Sequence, residues 1–376
     1  MINPFARFIC FRGIEIISQS RKTRDGRPRM ATLKEIARKV GVDISTVSYV
    51  LNGKAAKMGI GAARVKQIQE AATRLNYRPN SAARNLKRGR FGSVALILHP
   101  DWKLGHLPGR LLGEIQARLE EWDLILQISR LPDDRLTDAN FVPRILGELC
   151  TDGLLIGHNE RVSPRMTELI ETHVAPAVWI NFSGTRNAVA PADYDAARQM
   201  AARLYELGHR RIAFAHHAWS SADESLGHYS LRDRRVGVES FLTESGLVPI
   251  QGPIRLPNES DNYDELLKAC VRCLSAPNRP TAIIDYAGQA EGIFAAAQQL
   301  GMRIPQDLSL MAFGNTAERH FGRVVSTALI PLAEMGTAAV DLLVKIIFKS
   351  VKSQPAKSIP FTFEPGETCA PPPSVG

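Results

Sequence analysis

Thr32-Leu33-Lys34-Glu35-Ile36-Ala37-Arg38-Lys39-Val40-Gly41-Val42-Asp43-Ile44-Ser45-Thr46-Val47-Ser48-Tyr49-Val50-Leu51-Asn52 reads as two short helices joined by a tight turn. Thr32 stands three residues before Glu35, the spacing of a capping box, so the first helix starts just after it. Leu33, Ile36, Ala37 and Val40 recur at helical spacing and make one apolar stripe. Gly41-Val42 breaks that helix, and Asp43 is placed to cap a second one. Val47, Val50 and Leu51 are the inward positions of the second helix, and Asn52-Gly53 ends it. Two helices crossing steeply at a tight turn, with small Ala37 where they approach, have helix-turn-helix geometry. Ile44, Ser45, Thr46, Ser48 and Tyr49 are left near the outer, N-terminal face. These hydroxyl-bearing or apolar groups suit base edges, thymine methyls and phosphates. Lys34, Arg38, Lys39, Lys54 and Lys57 surround them. From the helical pattern alone, a small bundle with a solvated basic surface fits equally well.

Charge favours a polyanion. Residues 1–92 hold 20 Lys/Arg and 5 Asp/Glu, a net of +15, whereas residues 93–376 hold 27 and 33, a net of −6. A basic head on a mildly acidic body reads as a polyanion-binding module joined to something else. A third helix is expected from about Ala62 to Leu75, with Val65, Ile68, Ala72 and Leu75 inward. Arg78-Pro79-Asn80 interrupts, and Asn80 can cap a short helix to about Lys87. Residues 1–29 show no sustained period. They read as a floppy basic arm, or as residues ahead of a natural start at Met30.

The body has a different period. Short apolar runs of strand length (Val94–Leu98, Leu124–Ile128, Gly153–Gly157, Ala177–Asn181, Ile212–His216, Ala282–Asp285 and Leu308–Phe313) alternate with amphipathic helices, including Asp195–Leu207 and Arg234–Ser245. This alternation means parallel sheets with crossover helices, and about 280 residues hold two of them. The expected organisation is an arm at 1–29, a helix-turn-helix domain at 30–78, a hinge helix and linker at 79–92, a two-lobed core at 93–370 and a loose tail at 371–376. The Pro-rich stretch beyond Glu364 reads as loose throughout.

The segments Thr32-Leu33-Lys34-Glu35-Ile36-Ala37, Gly41-Val42, Ser45-Thr46-Val47-Ser48-Tyr49-Val50-Leu51-Asn52 and Leu75-Asn76-Tyr77-Arg78-Pro79-Asn80 resemble, in order and spacing, the head of LacI/GalR-type transcriptional regulators. The resemblance runs from about Met30 to Pro371. It implies an all-α helix-turn-helix DNA-binding head plus an α/β two-lobed, periplasmic-binding-protein-like core with parallel sheets. It places Ile44, Ser45 and Tyr49 where base preference is set. Thr32, Thr46, Ser48, Asn52, Tyr77 and Asn80 fall where phosphates are contacted. The segment Asn80–Lys87, with Ala83, resembles the family's hinge helix, and Leu86 falls on its minor-groove wedge. Taken alone, Leu86 would read as an ordinary apolar anchor. In the core, the resemblance gives Arg234, Asp193, Asp195, Trp102, Trp219 and Tyr286 as candidates to line an effector site. For the two tryptophans, ordinary packing is an even alternative.

This chain departs from the family pattern in three places. The loop Gly53–Gly59 is a few residues longer than in well-known members. Asp285-Tyr286-Ala287 stands where sugar-binding members read Ala-Asn-Asp, and Ala312-Phe313-Gly314-Asn315 where Gly-Phe-Asp is usual. Both core changes argue against a standard hexose within the family's carbohydrate class.

Other signals carry little. Cys270-Val271-Arg272-Cys273 lacks a second ligand pair for zinc, and His216-His217 and His228 lack metalloprotease spacing and read as strand-end histidines. No nucleophile elbow is present, and the reading assigns no metal, cofactor or catalysis. No apolar stretch approaches the ~20 residues of a membrane span. Five cysteines in 376 residues fit a reducing compartment, so a cytoplasmic protein is expected. The expected function is a homodimeric repressor of a pseudo-palindromic duplex operator, controlled by a small molecule. The alternative is a transport-type, sugar-like binding protein that shares only the body fold.

Overall fold

A computed structural model describes residues 31–78, 89–99, 107–130, 138, 142–148, 150–157, 164–172, 176–217, 228–255, 263–285, 290–349, 351 and 353–373. They belong to two compact units, one within residues 1–84 and the other within 85–376. In the first unit lie α1 (Leu33–Val40), α2 (Ile44–Leu51) and α3 (Ala62–Arg74). Thr32 caps α1 as its spacing predicts. Its hydroxyl accepts the Glu35 N–H at 3.3 Å, and the Glu35 carboxylate accepts the Thr32 N–H at 2.8 Å. Gly41, in the left-handed region at φ 69°, ends α1. Ile36, Ala37, Val47, Val50, Ile68, Ala71 and Ala72 make the buried centre, with Leu33, Val40, Leu51, Val65, Leu75 and Tyr77 packed around it. Asp43 corrects an expectation. It occupies the cap position of α2, but its side chain accepts no bond from the helix. The residue is exposed, and water competes for the carboxylate.

The second unit alternates strands and helices. β1 (Ser93–Leu98), α4 (Gly109–Glu120), β2 (Ile125–Arg130), α5 (Arg144–Gly147), β3 (Gly153–Gly157), α6 (Pro164–Thr172), β4 (Ala177–Ile180) and β5 (Ala188–Pro191) build the first lobe. There follow α7 (Asp193–Glu206), β6 (Ile212–His217), α8 (Tyr229–Glu244), β7 (Ile250–Arg255), α9 (Tyr263–Leu274), β8 (Ala282–Asp285), α10 (Ala290–Gln299), β9 (Ser309–Gly314) and the short hairpin β10 (Arg319–His320) and β11 (Arg323–Val324). β12 (Ser326–Leu329), α11 (Leu332–Lys349), β13 (Lys357–Ile359) and β14 (Thr362–Glu364) complete the fold. Strand order is β13-β5-β4-β3-β1-β2 in one sheet and β14-β12-β9-β8-β6-β7 in the other. Among the described residues, neighbouring strands of the two sheets run parallel except β12 with β14. β1, β3 and β8 are buried at every residue, as central strands between helical layers must be.

Helices α4 and α11 cover one face of the first sheet, and α6 the other. In the second lobe α9 and α10 cover one face, and α7 and α8 the other. The chain passes between lobes three times, from β5 to α7, from β12 to α11 and from β13 to β14. Helices α7 and α8 approach closely because Gly237 has no side chain. A Cβ there would lie 2.5 Å from the Tyr194 carbonyl oxygen and 2.9 Å from Ala197 Cβ. Gly237→Ala is expected to cost about 1–3 kcal/mol by overpacking, read as a lower urea midpoint with unchanged slope.

The stretch beyond Glu364 is not loose as far as Ala370, which corrects the reading from composition. Thr368 is fully buried, donates to the Leu310 carbonyl at 2.6 Å and accepts the Ser326 N–H at 2.9 Å. The Ala370 carbonyl accepts from buried His209 at 2.9 Å. The residues between the prolines keep their backbone donors and acceptors, and those bind the neighbouring strands. The helices also start earlier than expected. α7 begins at Asp193 and α8 at Tyr229, so Asp193 and Arg234 both lie inside helices.

Candidate DNA-reading helix and ligand cleft

The head presents α2 on its surface. Ile44 is 46% exposed, Ser45 is exposed, and Thr46, Ser48 and Tyr49 are half-buried. Val47 and Val50 anchor the opposite side in the head core. Asn52 folds back on its own helix, its amide donating to the Ser48 carbonyl at 2.7 Å and to the Ser48 hydroxyl at 3.2 Å. Tyr77 packs its ring against the core. The Thr32 hydroxyl is engaged in the cap. Lys34, Arg38, Lys39, Lys54 and Lys57 are all exposed. None of the five makes an ion pair among the described residues. Asn80, Ala83, Leu86 and Lys87 lie outside the described residues, as do Trp102, Trp219 and Tyr286.

Of the core candidates, the structure brings Asp193 and Arg234 together. Arg234 Nε donates to Asp193 Oδ1 at 2.6 Å, with the two side chains 6% and 1% exposed. The guanidinium lies 4.1 Å from the centroid of the Phe313 ring. Burial pushes the Asp193 carboxyl above the usual carboxylate range, and Arg234 opposes that shift. Asp195 is not part of this group. It follows Asp193 by two residues, about 200° around the helix, and is exposed beside a surface cavity of about 330 Å³ lined by Arg198, Gln199 and Phe361.

A second cavity, of about 240 Å³, opens at the C-terminal ends of β8 and β9. In open parallel sheets this is the end at which ligands bind. Asp285, Phe313, Gly314, Asn315, Thr316, Glu318, His320 and Thr327 line it. Phe313 thus touches both the cavity and the Asp193–Arg234 pair. Asp285 is fully buried. Among the described lining residues two are acidic and none is Lys or Arg.

Sequence reasoning missed three residues nearby. The Tyr229 hydroxyl donates to Asn181 Oδ1 at 3.0 Å, and His228 Nε2 donates to the Asn181 carbonyl at 3.2 Å. His228 is not a strand-end histidine. It caps α8, its Nδ1 accepting from the Ser230 N–H at 3.3 Å and from the Ser230 hydroxyl at 2.7 Å. Burial pushes the imidazole down to about 4, which keeps it neutral. Burial also pushes the Tyr229 hydroxyl up. The only local signal was His228-Tyr229-Ser230 just ahead of a helical pattern. Among the described residues no group of His, Cys, Asp and Glu is arranged to hold a metal ion, and no helix is long and apolar enough to cross a membrane.

Residues 32–80 match the profile of bacterial regulatory proteins, lacI family, and residues 201–369 that of a periplasmic binding protein-like domain. The chain is 27% identical over 338 residues to catabolite control protein A of Priestia megaterium, covering 89% of this chain and 97% of that one. It is 25% identical over 341 residues to the protein of the same name from Staphylococcus xylosus, with the same coverage. Among solved structures it is similar to the Lac repressor dimer bound to operator and the anti-inducer ONPF, with TM-score 0.71 and 21% identity over 91% of this chain and 100% of that chain. It is also similar to the complex of the transcriptional regulator CelR with cellobiose, with TM-score 0.58 and 19% identity over 90% and 99%.

Proposed function

We propose that the chain is a regulator of the lacI kind, whose profile its residues 32–80 match and whose relatives it resembles along 89% of its length, and that it is a sequence-specific repressor controlled by a small molecule. The observation that carries this reading is the head. Exposed Ile44 and Ser45 and half-exposed Tyr49 project from one short helix, and the same three-helix head carries five exposed cations without acidic partners among the described residues. Such a helix enters a major groove, with side chains on base edges and cations on phosphates. In this reading residues 30–78 read the half-site, and Ile44, Ser45 and Tyr49 set base preference. Thr32, Thr46, Ser48, Asn52, Tyr77, Asn80, Ala83 and Lys87 position the head, and residues 79–92 carry the Leu86 wedge. The protein works in the cytoplasm, on the nucleoid when bound to DNA, and catalyses no reaction.

Two copies act together on a pseudo-palindrome. An apolar sheet edge supports this. β2 closes one side of the first sheet with Ile125 and Ile128 58% and 55% exposed, a surface that a second copy covers well. The effector sits between the lobes near Asp193, Arg234 and the Asp285 cavity. At about 240 Å³ the described cavity suits a small ligand. Its acidic lining favours a donor-rich molecule over an anion.

Selection from random duplex DNA with the purified protein tests the reading. The expected product is a pseudo-palindrome with a flexible pyrimidine–purine step at its centre, where kinking costs least. Leu86→Ala is expected to weaken binding to it about tenfold, the ~1.5 kcal/mol of a truncated apolar wedge. If no sequence is enriched, with or without candidate ligands, specific DNA recognition is excluded.

A further inference from the structure

We propose that Asn181, His228 and Tyr229 form a clasp by which the chain itself fixes the setting of its two lobes, and that they are positioning residues for DNA recognition. The proposal rests on the repressor reading above. Asn181 belongs to the first lobe. It follows β4, and its N–H donates to the Val189 carbonyl at 2.7 Å, which ties it to the neighbouring strand β5. Its φ of 57° is left-handed, a conformation that asparagine adopts more readily than most residues. That turn lets one residue offer both its backbone carbonyl and its side-chain oxygen to the same neighbour.

The neighbour is the start of α8 in the second lobe. Tyr229 donates to the side chain of Asn181 and His228 to the backbone, so two bonds cross between lobes at one point. The donors are themselves held. Ser230 occupies Nδ1 of His228, which leaves Nε2 as the nitrogen that carries the proton and donates. One turn further along α8, Arg234 is bonded to Asp193 of α7, and Gly237 lets the two helices meet. The clasp therefore joins two rigid supports, whereas the rest of the connection between lobes includes three chain crossings that can bend.

The consequence for DNA is geometric. Residues 79–92 enter the first lobe at β1, so each head is attached to that lobe. In a dimer whose copies are joined through their second lobes as well as along β2, the angle between first and second lobes sets how far apart the two attachment points lie. A palindrome has one correct spacing. A chain that holds its lobes at that setting binds without first ordering them, which is preorganisation. The ligand-free protein is then the DNA-binding form. A small molecule that takes over Asn181 or Tyr229 competes with the clasp, binds the two settings unequally, and weakens operator binding. It acts as an inducer.

The test uses the full chain with no added ligand. Binding is measured on the selected operator and on operators whose half-sites are moved apart by one and two base pairs. Wild type is expected to bind the selected operator and to lose at least thirtyfold on altered spacing. Tyr229→Phe and Asn181→Gly, the latter suited to the left-handed backbone, are expected to lose about tenfold on the correct spacing. On altered spacing they should stay within twofold of wild type. The double variant should be no worse than either single one. Equal loss on every spacing, no loss, or tighter binding overturns the clasp while leaving the repressor reading intact. So does a wild type that requires a ligand to bind its operator. A protein that selects no duplex under any condition overturns the repressor reading and the clasp with it.

Discussion

Replacing Arg234 by methionine is expected to lower the unfolding free energy by about 3–5 kcal/mol at pH 8, the cost of stranding one partner of a buried pair. Arg234 Nε lies 2.6 Å from Asp193 Oδ1, and both side chains are buried. Burial already holds the Asp193 carboxyl above its ordinary range, and Arg234 is the main influence opposing that rise. Without the guanidinium the carboxyl rises further. A carboxyl with a raised value in the folded protein binds more protons there than in the unfolded chain. Its contribution is therefore complete below about pH 4, the unfolded value, and is lost as pH climbs through the folded one. The variant should regain stability as pH falls from 8 to 5, more steeply than wild type. Adding Asp193→Asn should recover at least half of the loss. Urea unfolding of the three proteins at pH 5 and pH 8 checks this. Equal stability of Arg234→Met and wild type at pH 8 would exclude a structural role for the pair.

Affinity for the selected operator is expected to fall about a thousandfold between 50 and 200 mM salt, as when six or more phosphates are neutralised and their counterions released. The net charge of +15 on residues 1–92, against −6 on the remainder, puts the excess of cations in the same part of the sequence as the reading helix. Lys54 and Lys57 stand in the loop just after α2, exposed and without acidic partners among the described residues. If both reach phosphate, replacing either with alanine lowers the salt slope by about one for each phosphate left without its cation. The loss of affinity should be the same on specific and random duplex, since cations on phosphates position the protein without reading bases. Fluorescence anisotropy at four salt concentrations measures the slope. A flat response on the selected operator contradicts the electrostatic account of the head.

The head was the most legible part of the sequence because its signals are local. Thr32 and Glu35 stand at capping-box spacing, and Gly41 falls where a left-handed residue ends α1. Ile36, Val47 and Ile68 fall on helical stripes that the fold buries completely. The central strands β1, β3 and β8 were legible for the same reason, as unbroken apolar runs that only a covered sheet accommodates. Segments without such a run were not. β7 carries Gln251, Gly252 and Pro253, and β13 and β14 are three-residue pieces held by neighbours distant in sequence. The prolines after Glu364 hid the burial of Thr368 because composition reports propensity, not partners. The site followed the same division. Asp193 and Arg234 came from family resemblance, and their pairing was not written in either residue's surroundings. Asn181, His228 and Tyr229 are separated by nearly fifty residues and become one group only when two lobes meet.

The shared closing strands have a consequence for synthesis. The first lobe needs α11 to cover its sheet and β13 to extend it, and the second needs β14 and Thr368 to finish its edge. All of these come from residues 332–370. As the chain leaves the ribosome, neither lobe can close before the last few dozen residues emerge, whereas the three-helix head has every residue of its core by Tyr77. The head can fold, and meet nucleic acid, while the sensor that governs it is still unfinished. A cut near residue 330 removes parts of both lobes at once and leaves a head with no working control.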